Sequence, residues 1–184
     1  MTLSIAPLAA AEVDTLCVLA RAVWRHHYPP IIGTAQTEYM LAQRYDPEVI
    51  RSELTHNEIW WDTLREESSI VAFASSFPLE SGNALKLDKL YVHPTRQRCG
   101  YGGVLIEHVC ERAARLEYAR VVLAVNKQND TAIAAYRKYG FEIAEAVVKE
   151  IGGGYVMDDY IMVKEVGGER REAHRSTPRP PREG

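Results

Sequence analysis

The chain has 184 residues, 46% hydrophobic and 26% charged, which fits one water-soluble globular domain with a real core. It holds no apolar run of the ~18–20 residues that a helical membrane span needs, and no basic segment followed by an apolar core that would read as a signal peptide. The net charge of −3 divides into −5 on residues 1–166 and +2 on residues 167–184, so the body lacks the basic footprint of a nucleic-acid binder.

Cysteine and histidine usage points away from metal and disulfide chemistry. Cys17, Cys99 and Cys110 form no CxxC pair and no ligand spacing. Their odd number suits the reducing cytoplasm. Cys17 and Cys110 fall on helical apolar stripes and read as core thiols. His26 and His27 are adjacent, so on a helix they point ~100° apart, a poor pair for one ion. No metal site is expected.

In chain order, residues 3–7 read as a short strand. Val13, Leu16, Cys17, Ala20, Val23 and Trp24 then recur at helical spacing. That helix is expected to end before Pro29-Pro30, because the residue before proline is pushed out of the α region. Residues 28–33 read as a turn and 34–44 as a second helix. Asp46-Pro47 opens a third, with an N-cap and a proline at the first helical position; Val49, Ile50 and Leu54 give its apolar stripe. Residues 59–64 and 70–77 read as a hairpin, and 78–83 as a turn.

Residues 84–92, ALKLDKLYV, carry a parity fault. Leu85 and Leu87 share one parity, Leu90 and Val92 the other, whereas a strand has period two. One extra residue near Asp88–Lys89, a β-bulge, is the simplest repair. A strand buried on both faces is the alternative. Next comes Gln97-Arg98-Cys99-Gly100-Tyr101-Gly102-Gly103. Its glycines open the backbone N–H groups to a ligand, and the following helix aims its positive end at the same spot. That is a cradle for a phosphate or pyrophosphate, unless the loop merely turns the chain. It is neither a P-loop nor a dinucleotide fingerprint, since no Gly-Lys-Ser/Thr follows and position 105 is Leu105. The helix presents Leu105, Val109, Ala113 and Leu116 to a core, and Glu107, Glu111 and Arg112 to water. Residues 121–126 read as a strand, and 131–139 as a helix capped by Asn129 or Asp130 and stopped by Gly140. A last hairpin, 141–151 and 155–166, turns about Gly152-Gly153-Gly154. From residue 167 the composition turns low-complexity and is expected to be disordered.

Two of these stretches together resemble the GNAT family of N-acetyltransferases. One is the bulged strand ending Leu90-Tyr91-Val92-His93-Pro94 with Gln97-x-x-Gly100-x-Gly102. The other is Asn129-x-x-Ala132-x-x-x-Tyr136-x-x-x-Gly140-Phe141. The resemblance implies an α/β fold of three layers, with a mostly antiparallel sheet splayed at the bulge and flanked by helices. It implies one domain over residues 1–166, acetyl-CoA as co-substrate, and transferase chemistry by direct attack of an amine on the thioester. Leu90, Tyr91 and Val92 would hold the pantetheine arm through the backbone. Gln97, Arg98, Cys99, Gly100, Tyr101, Gly102 and Gly103 would hold the pyrophosphate. Asn129 would hold the cofactor, cap the helix, or do both. Tyr136 matches the general-acid position, its bland alternative being a core aromatic.

The base is open. Many family members carry a glutamate on the bulged strand where this chain has Lys89. Asp88 or a relayed water could substitute. An acyl-enzyme on Cys99 is disfavoured, because a thiol in the pyrophosphate loop lies far from the acetyl group. Trp24, Tyr28, Trp60 and Trp61 are candidate acceptor-pocket walls. The ending Ile151–Met162 is similar to that of a subgroup that includes polyamine acetyltransferases, where Asp158 or Asp159 could hold a second ammonium. The expected acceptor is a small-molecule primary amine, which a mildly acidic body would attract. The alternatives are a protein or peptide amine, and a non-catalytic acyl-CoA-binding module. A monomer or a homodimer is expected, with no nucleic-acid or membrane partner.

Overall fold

The computed structural model describes residues 2–167. The tail expected from residue 167 lies outside that range, apart from Gly167, whose N–H bonds Ala119 O at 3.1 Å.

The first helix, α1 (Val13–His27), buries the predicted stripe and ends in the basic residues Arg25, His26 and His27; the Arg25 cation suits the negative helix end. The expected turn after it is instead one helical turn, α2 (Pro29–Ile32). Tyr28 keeps α geometry (φ −86°, ψ −27°) although proline follows. Its N–H bonds Trp24 O at 2.9 Å, and its ring lies 4.2 Å from the Trp24 ring. Packing therefore overrides the pre-proline preference. Then come α3 (Thr34–Arg44) and α4 (Pro47–Glu53), the latter capped by Asp46 Oδ1, which accepts the Glu48 N–H at 2.8 Å. Ile50 of the α4 stripe is buried, while Val49 is exposed.

Seven strands among the described residues form one sheet: β1 (Leu3–Pro7), β2 (Trp60–Glu66), β3 (Ser69–Pro78), β4 (Ala84–Val92), β5 (Arg120–Asn126), β6 (Glu142–Gly152) and β7 (Tyr155–Glu165). Their order is β1-β2-β3-β4-β5-β7-β6, antiparallel throughout except for β4 and β5. The helix α5 (Tyr101–Arg115) makes the parallel crossover, and α6 (Asp130–Lys138) follows β5.

The parity fault in β4 is a bulge. Ser75 pairs with Lys89 and Ser76 with Leu87, so Asp88 has no partner on β3. Leu85, Leu87, Leu90 and Val92 consequently all pack into the core under α5, whereas Tyr91 turns to the core under α1 and α3. Strands β4 and β5 pair only from Ala84 to Lys86 with Arg120 to Val122. Beyond those three pairs they part, and Leu90–Val92 has no strand partner on that side among the described residues.

Several side chains depart from expectation. Arg112 does not face water: it is buried and forks onto Asp62 of β2 at 2.5 and 2.7 Å, beside His108. Leu116 stands just past the end of α5 and is 44% exposed. Trp61 is a core residue stacked near Phe73, and Trp60 lies against Arg112, so neither walls a pocket. Cys17 and Cys110 are buried, as expected.

Gly103 of α5 is required for packing. A Cβ there would stand 1.7 Å from the Tyr139 hydroxyl oxygen. Gly103→Ala is therefore expected to displace Tyr139 and to cost about 1–3 kcal/mol, the usual range for overpacking. Urea unfolding of G103A against wild type measures it, and Tyr139→Ala on the G103A background should recover part of the loss.

Candidate active site

Where β4 and β5 part, a cavity of about 750 Å³ opens. The loop before α5 forms one end. Gln97 is extended, Arg98 (φ 63°) and Gly100 (φ 82°) are left-handed, and Gly100 caps α5 with no side chain. The first helical donor to find an acceptor is Val104, on Gly100 O at 3.2 Å. The N–H groups of Tyr101, Gly102 and Gly103 are thus the free first-turn donors of a helix, at its positive end. Arg96, Arg98 and Lys138 line the same end. Free N–H groups, a helix dipole and three cations fit a pyrophosphate. Gly103 serves that backbone while its missing Cβ makes room for Tyr139.

Glu66 braces this loop. It accepts from Arg96 Nε at 2.8 Å and from the Tyr101 hydroxyl, and these two bonds hold its carboxyl below the usual range. Nothing local in the sequence signals that tie, because β2 lies 30 residues or more away.

Helix α6 forms a second wall. Asn129 caps it, Oδ1 accepting the Ala132 N–H at 3.3 Å, and the same oxygen lies 3.1 Å from His27 Nε2, which therefore donates. Asn129 is buried, so its capping role is fixed, and it also lines the cavity. Tyr136 packs edge-on against Phe141 at 5.7 Å and lines the cavity too. Its hydroxyl has no hydrogen-bond partner among the described residues. Burial, with a smaller push from Tyr28, raises the Tyr136 phenol, so it keeps its proton at working pH.

The opposite end is aromatic and roofed by α1, Tyr28 and α3. The Trp24 and Tyr28 rings meet at 4.2 Å, tilted by 30°, and the Tyr28 and Tyr91 hydroxyls lie 3.3 Å apart. Burial pushes both tyrosines well up. The tip of the β6–β7 hairpin is tied to α3 by Tyr39, whose hydroxyl donates to Ile151 O at 3.1 Å. Of the candidate side chains named from the sequence, Trp24, Tyr28, Asp88, Leu90, Tyr91, Val92, Gln97, Arg98, Gly100, Tyr101, Gly102, Gly103, Asn129, Tyr136 and Asp159 line this one cavity, whereas Trp60, Trp61, Asp158 and the exposed Cys99 lie off its wall.

Residues 21–141 match the profile of the Acetyltransferase (GNAT) family. The chain belongs to the GNAT family. A peptidyl-lysine N-acetyltransferase of Escherichia coli, YjaB, is 29% identical over 109 residues, which are 59% of this chain and 66% of that enzyme. A spermidine N(1)-acetyltransferase of Thermoplasma acidophilum is 24% identical over 152 residues, 79% of this chain and 91% of that enzyme. Among solved structures, the PaiA N-acetyltransferase of T. acidophilum, in complex with coenzyme A, aligns over 90% of this chain and 99% of its own with a TM-score of 0.77 and 22% identity. The ribosomal-protein-S18-alanine N-acetyltransferase of E. coli aligns over 92% and 98%, with a TM-score of 0.69 and 20% identity. At such identities the structural likeness is one of fold.

This GNAT acetyltransferase handles the charges at its bulge in a particular way. Lys89, where the family resemblance leads one to look for a glutamate, is 5% exposed and sits 4.8 Å from the Trp61 ring centre. Asp88 is held by Arg44 at 2.8 Å, Lys86 at 3.0 Å and Lys89 at 2.9 Å. Burial alone would raise its carboxyl, but those three cations hold it far below the usual range. A carboxylate so clamped takes up a proton poorly. No group of three or more metal-ligating side chains gathers among the described residues, and no helix there is long and apolar enough to cross a membrane. Arg44 and His27 were not foreseen. Both come from the roof helices, and only the folded chain brings them to the cavity.

Proposed function

We propose that this chain is an acetyl-CoA-dependent N-acetyltransferase that acts on the primary amine of a small molecule. One observation carries the reading. A single cavity joins the free N–H groups of the first turn of α5, the Tyr136 side chain and an acceptor end roofed by Trp24, Tyr28 and Arg44. A roof of that kind suits a small acceptor better than a protein strand lying in an open groove. The coenzyme A complex of the PaiA neighbour and the spermidine specificity named for the Thermoplasma relative support it.

When bound, acetyl-CoA supplies the thioester whose acetyl group is transferred. The N–H groups of residues 97–103, with Arg96 and Arg98, would hold its pyrophosphate. The edge of Leu90–Val92 that faces away from β3 would take the amide-rich arm as an added strand. Backbone N–H groups re-aimed by the bulge would meet the acetyl oxygen as it gathers charge. Tyr136 would give its proton to the departing sulfur. Trp24 and Tyr28 would flank the acceptor.

Thiol release from acetyl-CoA, followed with putrescine, spermidine, spermine, monoamines and lysine peptides, tests the reading. Release with one class of small amine is expected. Release with peptides alone would move the acceptor to proteins. Cofactor binding by calorimetry with release from no amine or peptide would make the chain a binding module.

A further inference from the structure

We propose that Asp159 is the general base of this acetyltransferase, the group that takes the proton from the acceptor's ammonium. The inference rests on the small-amine reading above.

Two carboxylates line the cavity among the described residues, Asp88 and Asp159. They are opposites. Both oxygens of Asp88 are occupied, Oδ1 by Lys86 and Oδ2 by Arg44 and Lys89. Protonating it would dissolve three ion pairs. Asp159 makes no ion pair and no side-chain hydrogen bond among the described residues, and its Oδ1 is buried with no partner. A bare buried carboxylate oxygen is costly, so it calls for an explanation, and a ligand that supplies the missing donor is one.

Its place in the sheet agrees. Asp159 pairs with Asn126 of β5 on one side and Val147 of β6 on the other. Asn126 O in turn accepts the N–H of Asn129 at 2.9 Å, the residue that opens the helix bearing Tyr136. Asp159 therefore stands across from the root of that helix, on the wall facing the split. Tyr28, Tyr136 and Asp159 all line the same cavity.

The groups around Asp159 set how readily it accepts a proton. Burial raises its carboxyl most, and Asp158 on its own strand adds to that. Arg44 of α3, Lys86 of β4 and Lys127 after β5 pull the other way. Lys127 is itself paired with Asp158. Lys149 of β6 and Tyr28 complete the surroundings. The balance lies above the ordinary carboxylate range. His27 is the rival: its Nε2 donates to Asn129 Oδ1, which leaves Nδ1 as its proton acceptor, and His27→Gln separates the two.

The protons balance. Asp159 takes one proton from the ammonium and passes it to solvent. The freed nitrogen forms its bond to the acetyl carbon as the carbon–sulfur bond breaks. Tyr136 protonates the sulfur and recovers a proton from the same nitrogen, which keeps one hydrogen in the amide. One proton is released per turnover.

Asp159→Asn tests this. We expect kcat to fall by ~10²–10⁴-fold, the range for a positioned acid–base group, with acetyl-CoA affinity unchanged. In wild type, kcat/KM for the amine should fall as pH drops through the Asp159 carboxyl pKa, and D159N should lack that limb. Carbon-13 NMR gives a readout that needs no turnover. The carboxyl resonance absent from D159N should titrate at the pH of the kinetic limb. Asp159→Glu should restore part of the rate. A D159N that raises only KM and keeps the acid limb would make Asp159 an anchor for a second ammonium and overturn the proposal. So would a limb that vanishes in His27→Gln instead. Wild type inert toward every amine would sink the activity and this assignment together, whereas an active wild type with an unimpaired D159N would sink the assignment alone.

Discussion

Arg112→Met is expected to destabilise the protein by about 3–5 kcal/mol, the range for removing one partner of a buried ion pair. Arg112 donates an N–H from each of its two terminal guanidinium nitrogens to Asp62, and both residues are under 10% exposed. Methionine fills much of the arginine stem but leaves the carboxylate in the core. His108, 3.2 Å from the same carboxylate, is only a partial substitute. The double replacement Asp62→Leu with Arg112→Met should recover most of the loss, because it removes both charges. Urea unfolding at pH 7 reads all three. The pH dependence has a definite sign. Burial alone would raise the Asp62 carboxyl, but the bonds from Arg112 and His108 carry it below its ordinary value. Its contribution is therefore present above the unfolded pKa of ~3.9 and fades as pH falls toward the lower folded value. The gap between wild type and R112M should narrow in acid. A gap that holds constant from pH 7 to 3 would mean that packing, not charge, sets it.

Tyr136→Phe is expected to lower kcat by ~10²-fold or more while leaving acetyl-CoA affinity in place. That is about 2.7 kcal/mol of transition-state stabilisation. Phenylalanine keeps the edge-on contact with Phe141, so the change isolates the hydroxyl. Single-turnover thiol release, with calorimetry for cofactor binding, separates the two quantities. An unchanged kcat would hand the acid role to water.

The bulge was legible because it leaves an arithmetic trace: four leucine and valine positions that fit one face only if Asp88 is extra. The loop at 97–103 was legible because glycine, a left-handed turn and a helix start are local matters. What stayed hidden is what distance in the chain conceals. Arg112 sits on the flank of its apolar stripe, and its partner is 50 residues upstream. His27 meets Asn129 across 102 residues. Neither pairing leaves a pattern that a window of sequence contains. Tyr28 misled in part for a related reason: the ring of Trp24 one turn back is a local partner, but Tyr91, whose hydroxyl lies 3.3 Å from that of Tyr28, is 63 residues away. Leu116 kept the helical spacing one position after the helix itself had ended.

The seam between β4 and β5 also has a mechanical meaning. Four strands lie on one side of it and three on the other, stitched edge to edge by three residue pairs. A sheet so nearly cut in two should bend along that line before it bends elsewhere. A molecule with peptide-like amides, laid along Leu90–Val92, would act as a splint, and the stiffness gained on binding would be concentrated where acyl transfer needs its partners held still.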